Sequence, residues 1–140
     1  MKQIDFKPVD AARVWRGPEL AEREAAWTYR LNAEDITALD KAVSKITEMN
    51  MDVLDITHDQ FALGSLADVL KGIGEDLQNG LGFKMIRGLP VERYNIREAA
   101  IAYFGIGSHF GEAVSQNAKG HALGHAVSYT HLTLPTILLV

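Results

Sequence analysis

The alternation of apolar and polar positions changes period several times along this chain. In the stretch AAWTYRL, Trp27, Tyr29 and Leu31 fall on one face at a period of two, which predicts a half-buried strand ending at Asn32. The period then lengthens. In AEDITALDKAVSKITEM, Ile36, Leu39, Val43 and Ile46 recur at helical spacing, Asn32 stands where an N-cap is needed, and acidic residues occupy the first turn. A second helix is predicted in LGSLADVLKGIGEDLQNG, where Leu66, Leu70, Ile73 and Leu77 share a face and Gly80 supplies the stop. Gly72 and Gly74 weaken it, because a glycine inside a helix orders the most flexible backbone for no side-chain gain.

The segment GFKMIRGLPV is short and apolar, bounded by Gly82 and Pro90, and predicts a strand that leaves through a Gly-Leu-Pro turn. In NIREAAIAYFGIGSHFG, Asn95 and Glu98 have the spacing of a capping box, Ile101, Phe104 and Ser108 form a stripe, and Gly111 ends the helix. A last strand is predicted in EAVSQNAKG, with Gly120 opening a loop. The order is strand, helix, helix, strand, helix, strand, without repeats or low-complexity linkers, and the class is α+β.

Composition narrows the function. With 140 residues, 47% of them hydrophobic, the chain can bury the core of one domain. A net charge of -4 provides no basic stripe to neutralise phosphates, so nucleic acid is not an expected partner. The absence of cysteine excludes disulfides and thiolate metal sites and suits a reducing cytosol. The opening MKQIDFKPVD has no apolar signal core and no run reaches membrane-spanning length, so a cytoplasmic location without a membrane partner is expected.

Candidate chemistry is sparse. Gly105, Gly107 and Gly111 of FGIGSHFG lack the spacing of a dinucleotide loop and follow a helix where that loop follows a strand. His109, His121 and His125 can be drawn as a metal cluster or as separate hydrogen-bonded histidines. The glycines of KGHALGH oppose the helix that would make the last two converge, and no carboxylate stands nearby in sequence. Arg87 at a strand end can grip an anion or serve a salt bridge. Gln116 and Asn117 can orient a polar ligand on a pocket wall or cap a turn. Trp15 and Trp27 are most simply core or edge packing. No Ser-His-Asp order, P-loop or paired-carboxylate motif is present.

Together, GLGFKMIRGLPVERY, AYFGIGSHFGEAVSQN and KGHALGH resemble the amino-terminal part of the taurine dioxygenase (TauD/TfdA-like) family. The likeness extends upstream through VWRGPEL and WTYRLNAEDITALDKAV and covers nearly all of residues 11 to 125. Phe104 stands where one branch often has tryptophan, and His121 where an acidic residue is common. The resemblance implies the amino-terminal portion of a double-stranded β-helix (jelly roll), with the barrel incomplete. It implies that the full-length parent holds Fe(II) by a His-x-Asp pair and a distant His, binds 2-oxoglutarate through an arginine, and hydroxylates or oxidatively cleaves a small organic substrate with oxygen.

This chain has no His-x-Asp; His58 and Asp59 are adjacent. No catalytic or metal-binding residue is therefore assigned to it, neither iron nor 2-oxoglutarate is expected to bind it, and it is expected to be inactive alone. Gln116 and Asn117 are the expected substrate-binding residues of the parent. The alternative is a small noncatalytic binding or interaction domain using the SQNAKGHALGH loop. A piece of a barrel should expose an apolar face that a complete domain hides. Substrate identity and oligomeric state are not legible.

Residues 127–140, VSYTHLTLPTILLV, carry no charge after a charge-rich body. Their first ten residues resemble a translation of a common transposase sequencing adapter, whose first bases would also complete the codon of Ala126. On that resemblance, a sample barcode and the continuing adapter would account for Ile137 to Val140. Residues 1–125 are accordingly expected to be the native dioxygenase portion and 126–140 a non-native tail. The rival reading is a terminal strand in which Tyr129, His131 and Thr133 alternate against Leu132 and Leu134.

Overall fold

The computed structural model describes residue 12 and residues 14–115 and 117–123. Their elements run α1 (Gly17–Ala21), α2 (Glu24–Trp27), β1 (Thr28–Arg30), α3 (Ala33–Glu48), α4 (Ser65–Asn79), β2 (Met85–Arg87) and α5 (Ile96–Ser108), with single 3₁₀ turns at Val53–Asp55 and Val91–Arg93. The class is mixed helix and sheet.

The two best-defined helix starts are set by side chains. At α3, Asn32 Oδ1 accepts from the backbone N–H of Glu34 at 2.8 Å and of Asp35 at 3.0 Å, and Asp35 Oδ2 accepts from the Asn32 N–H at 3.0 Å. At α5, Asn95 Oδ1 accepts from the Glu98 N–H at 2.9 Å and Glu98 Oε2 accepts from the Asn95 N–H at 2.8 Å. Each box satisfies N–H groups that no turn of helix can reach. The α4 helix has no side-chain cap; Gly64, at φ 54°, turns the chain into it. Gly72 and Gly74 do not interrupt α4, whose buried face of Leu66, Leu70 and Ile73 outweighs their propensity cost.

Strands β1 and β2 pair in parallel, Thr28 with Met85, Tyr29 with Ile86 and Arg30 with Arg87. The Leu31 N–H extends the ladder to the Arg87 carbonyl at 2.9 Å. The chain between the strands contributes α3 and α4, as a parallel pair requires. The core lies between these elements. Leu39, Ala42, Val43 and Ile46 of α3 meet Leu66, Leu70 and Ile73 of α4 and Ile101 and Ala102 of α5, closed by Leu31, Ile56, Phe61 and Leu63.

Two expectations need correction. Trp27 ends α2 and does not belong to the strand. The strand expected in EAVSQNAKG is absent among the described residues: 112–115 are irregular, 117–119 form a bend and turn, and Val114 is 70% exposed. A strand persists only where a neighbour takes its backbone hydrogen bonds, and the β1–β2 sheet has no third strand among the described residues. Phe104 packs against the core beside Ile101 as the stripe predicts, whereas Ser108 turns its hydroxyl to the Gly105 carbonyl at 2.7 Å. The tail beyond residue 123, including its two rival readings, lies outside the described residues.

Candidate functional site

The amide pair expected to line a pocket is only half available. Gln116 lies outside the described residues. Asn117 is exposed, and its side chain closes its own turn. Its Oδ1 accepts from the backbone N–H of Lys119 at 3.0 Å and of His121 at 3.2 Å, and its Nδ2 donates to His121 Nδ1 at 3.1 Å. Ser115 Oγ adds a bond to the Asn117 carbonyl at 3.1 Å, and the Gly120 N–H another at 3.0 Å. Asparagine suits this place because a short amide can fold back onto the N–H groups two and four residues on. The turn pins Asn117 and His121 to each other and holds the imidazole with Nδ1 as acceptor.

The histidines divide between two places. His109 caps the end of α5, and its Nε2–H donates to the Phe61 carbonyl at 2.9 Å, tying the helix terminus to the loop before α4. Its ring stands edge-on to His58, centroids 6.1 Å apart, and His58 Nε2 lies 3.1 Å from Asp59 Oδ1. His121 is bonded to Asn117 as above, and His125 lies outside the described residues. Among the described residues no group of three or more His, Asp or Glu side chains is placed to hold a metal ion. The adjacency of His58 and Asp59 in sequence gave no warning of the His58–His109 contact, which folding creates across fifty residues of chain.

Arg87 pairs with Glu24 at 3.6 Å, joining β2 to α2, so its fork is engaged in a salt bridge. Trp15 and Trp27 both lean on Phe83, with ring centroids 5.1 and 5.9 Å away. Their indole N–H groups donate to the carbonyls of Leu81 and Leu20 at 3.1 and 2.9 Å. This is edge packing with both polar tips satisfied. Beside it Lys84 Nζ reaches the Ala26 carbonyl and Asp76, each at 3.1 Å.

Sequence reasoning missed two features. Asp40 on α3 accepts from Tyr94 Oη at 2.6 Å and from an Arg93 guanidinium nitrogen at 2.9 Å. Burial first, and then the Asp40 carboxylate, raise the Tyr94 phenol well above its ordinary range. A weaker rise affects Tyr29, from burial and its 2.8 Å bond to Asp35. The other feature is a shallow groove of about 360 Å³ between α3 and the segment before α4, lined by Ala38, Lys41, Ala42, Lys45, Gln60, Ala62 and Gly64. Its lysines sit four apart on α3, off the Leu39–Val43–Ile46 stripe, so spacing marks them as a solvated face. The groove is an apolar floor with a cationic rim and holds no acid–base pair.

No helix among the described residues is long and apolar enough to cross a membrane. No family model matches the chain. The chain is similar to FR-33289 synthase of Streptomyces rubellomurinus, with 30% identity over 120 residues. That match covers 86% of this chain and 35% of the synthase, so the chain spans about a third of the length of the curated relative it matches.

Proposed function

We propose that this chain is the amino-terminal part of an Fe(II)- and 2-oxoglutarate-dependent dioxygenase of the taurine dioxygenase type. The whole enzyme hydroxylates or oxidatively cleaves a small organic substrate. The observation that carries the reading is the 120-residue match to FR-33289 synthase, about a third of that enzyme, taken with the family motifs in residues 11 to 125.

The sheet supports it. Two three-residue parallel strands make too small a sheet to stand alone, because parallel sheets are stable when extended and covered on both faces. Met85 on β2 and Val91 just after it are exposed, as expected where further strands would join.

The described residues do not fit an iron site, and none of them is assigned as a ligand. In this reading the ligands and the 2-oxoglutarate arginine belong to the rest of the barrel. When bound in a complete barrel, the iron would supply the open coordination positions at which co-substrate and oxygen meet. The contribution of this part is scaffold: α3, α4 and α5 pack the core that holds the β1–β2 ladder in register for the strands that follow.

The test is to recover the uninterrupted gene and assay its product. The reading frame beyond His125 should encode a His-x-Asp, a later His and an arginine, and the protein should form succinate from 2-oxoglutarate. The present chain should show no stoichiometric metal-to-ligand absorption with Fe(II) and 2-oxoglutarate under anaerobic conditions. A native frame that stops within a few codons of His125 would sink the proposal. So would tight iron binding by the present chain that a His121→Ala, His125→Ala double variant abolishes.

A further inference from the structure

We infer that the groove between α3 and the segment before α4 binds an aliphatic carboxylate, its headgroup between Lys41 and Lys45 and its chain along Ala38, Ala42 and Ala62. Two ammonium groups four positions apart on a helix repel one another, and a carboxylate between them removes that cost. The fold supplies none. The salt bridges among the described residues join His58, Lys84, Arg87 and Arg93 to acidic partners, and Lys41 and Lys45 take part in none of them. Asp40, beside Lys41 in sequence, is already taken by Arg93 and Tyr94.

The third polar side chain of the groove is also a donor in want of an acceptor. Gln60 Oε1 accepts from the Thr57 N–H at 3.0 Å and from Thr57 Oγ1 at 3.1 Å, which leaves the two Nε2 hydrogens to donate. Each free side-chain group here is thus a donor, and a ligand headgroup that only accepts suits all three. Two ammonium groups offer one to each oxygen of a carboxylate. A phosphate has a third oxygen to satisfy, and no arginine fork lines the groove among the described residues.

The floor sets the rest of the ligand. Methyl groups of Ala38, Ala42 and Ala62 make it apolar, and Gly64 adds no side chain: a Cβ built there would meet no atom within 4 Å. From Ala38 to Lys45 the helix rises about 10 Å at 1.5 Å per residue, the reach of a medium-length aliphatic chain. Past Ala38 the groove runs on toward Ala33, Glu34 and Thr37. The Glu34 carboxylate repels an anion at that end, so the headgroup belongs with the lysines.

The net charge of -4 gives anions no general attraction to this chain, so saturable binding has to come from the local pair. Both lysines are exposed, and water screens them, so the affinity is modest. The site needs neither iron nor further barrel strands: a gene that ends near His125 removes the dioxygenase reading and leaves this inference intact.

Titration of the isotope-labelled chain with octanoate, followed by two-dimensional NMR, tests it. Amide signals should shift saturably within residues 38–45 and 60–64, with a dissociation constant of roughly a millimolar or below. Acetate, which has the headgroup without the chain, should bind roughly tenfold more weakly or worse. Lys41→Gln and Lys45→Gln should each weaken octanoate roughly threefold or more, and the double variant further, with unchanged far-ultraviolet circular dichroism. Lys71→Gln, on α4 and outside the groove, should leave binding as it was. Ala38→Leu should fill the floor and abolish binding; if that variant misfolds, the exposed lysine variants still decide. Shifts confined to other residues, binding indifferent to both lysines, acetate equal to octanoate, or octyl phosphate tighter than octanoate each overturn the inference. So does loss of octanoate binding in the product of the uninterrupted gene, which would show that the chain's own continuation covers the groove.

Discussion

The ring of Phe61 occupies the space that a side chain at Gly105 would need: a Cβ added there would fall 2.5 Å from Phe61 Cδ1 and Cε1. Phe61 is among the largest fully buried side chains, so α5 meets the loop before α4 backbone against ring. Gly105→Ala should destabilise the fold despite the better helix propensity of alanine, by about 1–3 kcal/mol net of that gain. Chemical denaturation measures it. The double variant Gly105→Ala, Phe61→Leu should recover part of the loss, and a simple sum of the two single costs would show that ring and glycine are not coupled.

The start of α3 concentrates polar bonds on one buried carboxylate. Asp35 is 3% exposed and accepts from the Asn32 N–H and from Tyr29 Oη. Asn32→Ala should cost about 1 kcal/mol, the usual loss of an N-cap. Asp35→Ala should cost more, because two donors are then left facing the core side of the helix. Equal costs in urea denaturation would mean that the Tyr29 bond adds nothing.

Stability should fall at alkaline pH through the tyrosines. Burial and Asp40 raise the Tyr94 phenol in the folded state, while the unfolded chain releases its proton near the ordinary value of about 10. Below that pH both states hold the proton and the contribution is fully present. As pH rises past about 10 the unfolded state loses the proton first, and stability is lost progressively toward the raised folded value. Tyr29 adds in the same direction. Melting temperatures followed upward from neutral pH should drop above this point, and Tyr94→Phe should flatten the drop. An unchanged alkaline slope in that variant would rule Tyr94 out as its source.

Asn117 poses a choice between ligand and turn. In the complete enzyme of the proposed reading, Asn117→Ala should raise the substrate KM or uncouple 2-oxoglutarate decarboxylation from substrate oxidation, with iron binding intact. In the present chain the same substitution frees the N–H groups of Lys119 and His121, which solvent can satisfy because the turn is exposed, so its melting temperature should barely move. Normal kinetics in a less stable complete enzyme would assign Asn117 to the turn alone.

Deleting residues 127–140 should leave the melting transition unchanged or raised, as expected if the adapter reading is right. A loss of several kcal/mol, the scale of removing packed core, would instead make the segment part of the fold.

What the sequence determined by itself is local. The three long helices follow from Leu39–Val43–Ile46, Leu66–Leu70–Ile73 and Ile101–Phe104, and two of their starts from Asn32 and Asn95. A helical period and a capping amide act through atoms no more than four residues away. Both short strands were legible from their apolar runs and breakers. The parallel register was not, because it depends on how α3 and α4 return the chain.

Tertiary structure decided the rest. It joined Tyr94 to Asp40 across 54 positions and His109 to the Phe61 carbonyl across 48, and it made Gly105 a necessity of packing where the sequence offered only a glycine pattern. It also left 112–115 irregular, since β propensity proposes a strand but only an adjacent strand can take its hydrogen bonds. The amide of Asn117 is spent on its own turn for the same reason: an exposed polar group satisfies itself with the nearest donors, and which donors are nearest is settled by the folded backbone.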